Sequence, residues 1–119
     1  MLAVAGGKGG CGKTTTTVGL ATVLAKAGPE PLVVDADTDM PNLHHVAGLA
    51  ETGGIDAVAA GKRVCQAVRV TDTFPGIRFL TAGERDSLPP ALRRTYYWRG
   101  PVLVDCQTGI DRGATQPFT

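Results

Sequence analysis

The sequence predicts an α/β fold, a mostly parallel sheet with helices on both faces, and three observations carry that expectation. The runs Pro31-Leu-Val-Val-Asp35 and Pro101-Val-Leu-Val-Asp105 are apolar through their centres and end in an acid. Such continuous runs belong to strands buried on both faces, as in parallel sheets covered by helices. A third apolar run, Leu2–Ala5, closes in glycines and leads into helical spacing over Lys13–Ala27, so strand and helix alternate from the start.

The elements follow in order. Lys13–Ala27 places Leu20, Leu24 and Ala27 on one side, with Val18 and Ala21 adjoining, and Gly28-Pro29 stops it. The strand ending at Asp35 comes next, then helices around Leu43–Leu49 and Ile55–Ala60. Pro75-Gly76 turns the chain into a strand over Ile77–Thr81, a helix follows around Leu92–Trp98, and Pro101–Asp105 is the last strand. Residues 51–76 carry the weakest pattern. The chain of 119 residues fits one domain with about four strands and no internal repeat.

Composition narrows the function. Hydrophobic residues make up 43% and aromatics only 5%, which suits thin layers packed by small aliphatic side chains. Twelve basic residues against eleven acidic ones give a net charge of +1, and no stretch of sequence concentrates lysine or arginine as a nucleic-acid arm would. Cys11, Cys65 and Cys106 are an odd number, far apart and without a CxxC pair, so free thiols are expected rather than a disulfide framework or a zinc site. No run approaches the ~18 apolar residues of a membrane span, and Met1 leads straight into a strand rather than a secretory leader. A soluble, cytoplasmic protein is expected.

Gly7-Lys8-Gly9-Gly10-Cys11-Gly12-Lys13-Thr14 satisfies G-x-x-x-x-G-K-[ST] between a strand and a helix, the pattern of a phosphate-binding P-loop. Glycines leave room for backbone N–H groups to converge on phosphate oxygens. Lys13 neutralises the β and γ charges, Thr14 offers a hydroxyl to magnesium, and the helix N-terminus adds its positive end. Thr14–Thr17 is a poor helix start on propensity; hydroxyls of Thr14 and Thr15 facing metal and phosphate account for it.

Lys8-Gly9-Gly10-x-Gly12-Lys13-Thr14-Thr15 resembles the deviant Walker A motif of the MinD/ParA/Mrp family of P-loop ATPases, whose early lysine is its hallmark. The resemblance implies a P-loop NTPase fold, ATP/ADP and Mg2+ as ligands, and nucleotide contacts from Gly7 through Thr15. It implies that Lys8 reaches across an ATP-dependent homodimer to the partner's phosphates. Asp35-Ala-Asp37, followed by Asn42, is similar to the family's switch I: Asp37 orients or activates the attacking water, with Lys8 and Lys13 as catalytic partners, and Asp35 supports the magnesium shell. Asp39 is read as shaping the turn. Asp105-Cys-Gln-Thr-Gly109 resembles Walker B and switch II, which makes Asp105 a magnesium residue and the Gly109 N–H a γ-phosphate sensor. Gln107 stands where the family commonly has proline, and Leu80-Thr-Ala-Gly83 is family-like.

The family continues through further strands and helices beyond the point that matches Thr119, so the chain reads as an N-terminal part, with the C-terminal elements absent. Leu2–Ala5 is then expected at a sheet edge. Membrane or DNA contact is not expected within this segment, and a regulatory protein partner is left unidentified. Cys11 is read as a small apolar filler, and Cys106 as no iron–sulfur ligand because no cysteine follows it. His44 and His45 are read as a polar helix face, and Tyr96-Tyr97-Trp98 as aromatics packing on the sheet. The implied function is an ATP-hydrolysing dimerisation switch for spatial positioning (a division site, chromosome or plasmid partitioning, cargo). The alternatives are a metabolic ATP-dependent ligase on the same core, which a second-substrate pocket would mark, and a non-hydrolysing nucleotide-binding remnant.

Overall fold

The structure is a computed structural model that describes residues 2–4, 10–39, 41–50 and 53–106, with backbone placement alone for 2–4 and 10–13. In chain order the elements are β1 (Leu2–Val4), α1 (Gly10–Lys26), β2 (Leu32–Asp35), α2 (Leu43–Ala47), α3 (Gly54–Ala59), α4 (Val64–Ala67), β3 (Arg78–Leu80), α5 (Leu88–Arg94) and β4 (Val102–Asp105). Single 3-10 turns flank α5 at Arg85–Ser87 and Thr95–Tyr97.

The strands form one sheet in the order β1-β4-β2-β3, and every neighbouring pair is parallel. β4, the last in sequence of the described strands, is therefore inserted between β1 and β2. β1 pairs with β4 alone among the described residues, the edge position expected of it.

Alternation along each strand divides the core into two layers. Leu32, Val34, Val102, Val104 and Leu80 pack with Ile55, Val58, Ala67, Ala91 and Leu92 of α3, α4 and α5. Val33, Leu103 and Phe79 point the other way, against Val18 and Ala21 of α1 and Leu43 and Ala47 of α2. Helices thus cover both faces, which is why β2 and β4 show no polar alternation in sequence. The start of α3 is tied to the end of β3: the Gly54 N–H donates to Thr81 Oγ1 at 3.0 Å, and the Ile55 N–H to the Thr81 carbonyl at 3.0 Å. A Cβ on Gly54 would lie 3.0 Å from Leu80 Cδ1 and from the Thr81 nitrogen, so a glycine lets the helix come this close.

Several expectations need correction. Helix α1 begins at Gly10 rather than Lys13, so Gly10 and Gly12 of the motif lie in its first turn, where N–H groups lack intrahelical acceptors. Its buried stripe is Thr14, Thr17, Val18 and Ala21; Leu20 is on the exposed side, as is Ala27 beyond the helix end. The helix expected around Leu92–Trp98 lies earlier, at Leu88–Arg94, with prolines in its first turn, where a missing N–H costs nothing. Tyr96 and Tyr97 consequently fall in the 3-10 turn and are exposed, so only Trp98 of the aromatic trio packs against the core. Helix α4 had no counterpart in the sequence reading, and Arg69 adds an antiparallel bridge to Phe79. No helix among the described residues is long and apolar enough to cross a membrane.

Candidate functional site

Parallel register brings three strand ends into line: Val4 is paired with Asp105, and Asp105 with Asp35. The carboxyl end of a parallel sheet is where α/β proteins bind ligands. Asp105 is fastened there through both its side chain and its backbone. Its side-chain Oδ2 accepts a hydrogen bond from Thr14 Oγ1 at 2.7 Å, with both residues buried, and its carbonyl accepts the Ala36 N–H at 2.9 Å. The first turn of α1 is thereby fastened to the end of β4 across 91 residues of sequence.

Asp35 is fully buried and does a different job. Its Oδ1 accepts the Asp37 N–H at 3.1 Å and its Oδ2 the Leu43 N–H at 3.2 Å. One carboxylate therefore clasps both ends of the segment from Asp37 to the start of α2. Burial raises the Asp35 pKa to about 7, with the charges of Asp105 and Asp37 adding to the rise and the two backbone N–H bonds opposing it. Asp37 is itself buried next to it in sequence.

Thr14 and Asp105 bring a hydroxyl and a carboxylate oxygen into contact, a hard-oxygen pair, while no group of three acid, histidine or cysteine side chains among the described residues is arranged to hold a metal ion. The pair fits a magnesium ion completed by phosphate and water oxygens. Thr14 and Asp105 are the residues that could hold it, while Asp35, beside Asp105 in the register, has both oxygens taken by backbone N–H groups.

Of the remaining residues singled out in the sequence, Gly10, Cys11, Gly12 and Lys13 lie in the first turn of α1, and Thr15 is exposed. Gly7, Lys8, Gly9, Gln107 and Gly109 lie outside the described residues. His45 is exposed as expected, but His44 is buried, its ring 4.0 Å from that of His45. Cys65 and Cys106 are free thiols.

Arg85 was not singled out by its sequence context. From the turn after β3 its Nη2 reaches both oxygens of Asp39, at 2.7 and 3.0 Å. Asp39 thus pins the middle of the segment that Asp35 clasps at its ends. Only the fold brings these residues, 46 apart, together.

The profile of the CobQ/CobB/MinD/ParA nucleotide binding domain matches residues 2–112. The chain belongs to this family. Its sequence is similar to the septum site-determining protein MinD of Synechocystis, 29% identical over 127 residues, an alignment that covers 95% of the chain and 47% of that protein. Its fold is similar to that of the Pyrococcus furiosus cell division ATPase MinD, with a TM-score of 0.74 and 28% identity over 98% of the chain and 53% of that structure. It is also similar to Pyrococcus horikoshii MinD complexed with Mg-ADP, with a TM-score of 0.71 and 26% identity over 98% of the chain and 53% of that structure. The chain spans about half the length of the relatives it matches. Membership in this nucleotide-binding family agrees with a motif whose Gly10, Gly12 and Lys13 fall in the first turn of α1.

Proposed function

We propose that this chain is the phosphate- and magnesium-binding part of an ATP-hydrolysing dimerisation switch of the MinD/ParA type, used in spatial positioning. The observation that carries the reading is the buried Thr14–Asp105 hydrogen bond. It joins the phosphate-loop helix to the acid at the end of β4, the pairing that a P-loop magnesium site needs. The Mg-ADP complex of the Pyrococcus horikoshii relative supports the same ligands here.

In this reading Gly7 through Thr15 cradle the phosphates, and Lys13 neutralises them. Thr14 and Asp105 hold magnesium, whose charge offsets that developing on the phosphate oxygens. Asp37 orients the attacking water, and the Asp35 clasp holds Asp37 in place from below. Lys8 reaches the nucleotide of a second copy, and the Gly109 N–H senses the γ-phosphate. Catalysis is then positioning and charge stabilisation.

Titration with a fluorescent ATP analogue, with and without magnesium, tests the site. Lys13→Ala is expected to abolish binding, and near-normal affinity in that variant would remove the loop from the account. Asp37→Ala is expected to bind magnesium–ATP and lose hydrolysis, while Lys8→Ala binds nucleotide but does not dimerise with ATP in light scattering.

A ligase is the second reading, and one observation favours it. A polar cavity of about 480 Å3 opens beyond β2 and β3, lined by Thr38, Asp39, Asp56, Glu84 and Arg85 among others. It is a place for a second substrate against Thr38 and Asp39, which follow Asp37 in the chain. ATP turnover that needs no added substrate and rises with dimer formation would decide for the switch.

A further inference from the structure

Half of the basic residues lie in two stretches that contain no acid. Residues 57–71 hold Lys62, Arg63 and Arg69, and residues 87–104 hold Arg93, Arg94 and Arg99, with no Asp or Glu in either. Along the sequence they are too dispersed to read as a basic block. Packing of α3 against both α4 and α5 joins the two stretches in space.

Two adjoining cavities mark where they meet. One, of about 320 Å3, is lined by Lys62, Arg63, Cys65, Arg94, Tyr97 and Trp98. The other, of about 520 Å3, shares Cys65, Tyr97 and Trp98 and adds Pro29, Glu30 and Arg99. Lys62, Arg63, Arg94 and Arg99 are exposed, and the ion pairs among the described residues involve Arg78 and Arg85 instead. Tyr97 is 88% exposed, an unusual cost for a large ring. Trp98 is anchored by contrast: it packs against the core, and its indole N–H donates to the Glu30 carbonyl at 2.9 Å. Tyr, Trp and Arg together are the residue types that dominate protein interfaces. Glu30 precedes β2 and Trp98 precedes β4, so this groove lies at the opposite end of the sheet from Asp35 and Asp105.

We propose that this groove docks an acidic segment of a protein partner, with carboxylates against Lys62, Arg63 and Arg94 and an apolar side chain against Tyr97 and Trp98. Glu30 decides between a polypeptide and a nucleic acid. Its half-exposed carboxylate, paired with Arg78 at 3.0 Å, lines the larger cavity. A phosphate strand crossing both cavities would meet that charge. A peptide sets a neutral residue there, beside Pro29, and keeps its acids for the other side.

The test uses the 119-residue chain and a fluorescein-labelled peptide of alternating Glu and Leu, followed by anisotropy and by emission of Trp98, the single tryptophan. The expected result is binding that weakens with added salt, perturbs Trp98, and falls about tenfold or more in Arg63→Glu/Arg94→Glu. Tyr97→Ala, which keeps every charge, is expected to weaken it too. An ATP-analogue titration on each variant shows that the fold and the distant phosphate site are intact. Absence of peptide binding, binding indifferent to both sets of substitutions, or tighter binding of single-stranded oligo-dT would each overturn the proposal, the last in favour of nucleic acid.

Discussion

Asp35 and Asp105 stand side by side at the carboxyl ends of β2 and β4, both buried, yet they are held by different groups. Asp35 gives both oxygens to backbone N–H groups of its own loop, and Asp105 takes the Thr14 hydroxyl. The first organises a segment of chain, and the second joins two elements of the fold.

The raised pKa of Asp35 makes stability depend on pH. Between its usual 3.8 and about 7 the folded chain holds a proton that the unfolded chain releases, so stability falls as pH rises through this window. The contribution is full below the lower value and gone above the upper one. Thermal melts of the nucleotide-free chain should therefore drop between about pH 5 and pH 7 on this account. Asp35→Asn should flatten that slope, while losing an acceptor for one of two backbone N–H groups. Identical slopes in both proteins would reassign the effect to another group.

Thr14→Val removes the donor to Asp105 while nearly keeping side-chain volume. Leaving a buried carboxylate without it should cost about 1–3 kcal/mol, read in denaturant melts, and should also blunt the effect of magnesium on nucleotide affinity. Thr14→Ser keeps the hydroxyl and should retain most of both. A larger loss in Ser than in Val would point to methyl packing instead.

The sheet was legible because β2 and β4 carry apolar runs that only two-sided burial explains, and their terminal acids marked the site. The loop motif named its ligand class because glycine, lysine and threonine at those spacings have few other uses. Other features were not legible, for physical reasons. α4 is a single turn, too short to show a period. Pro89 and Pro90 look like breakers although they sit where a helix tolerates them. Arg85 meets Asp39, and Arg63 and Arg94 come to line one cavity, only through packing between elements distant in sequence. Charge counted along a chain misses charge assembled by a fold.

The exposed Arg85–Asp39 pair, with side chains 72% and 52% accessible, should contribute little to stability. Arg85→Ala is expected to change unfolding free energy by less than about 1 kcal/mol. A larger loss would show that the pair supports the whole Asp37–Leu43 segment.

Gly100 is constrained by its neighbour rather than by its own dihedral angles. A Cβ there would collide with the backbone carbonyl of Glu30, the same carbonyl that accepts the Trp98 indole N–H. Gly100→Ala should cost about 1–3 kcal/mol and shift Trp98 emission, because the backbone before β2 or β4 has to move. Unchanged melting and fluorescence would show that the two backbones can separate there without cost.

The insertion of β4 between β1 and β2 governs how the protein comes into being. During synthesis the first strand leaves the ribosome early and waits while about a hundred residues follow before its neighbour exists. Until then β2 and β3 can pair, but β2 keeps an open flank, and the phosphate-loop helix has no acid to grip. Closing so long a loop is slow compared with local helix formation. The nascent chain therefore has no Thr14–Asp105 contact until β4 threads into the middle of the sheet, and on the proposed reading nucleotide arriving earlier would meet only half of its site.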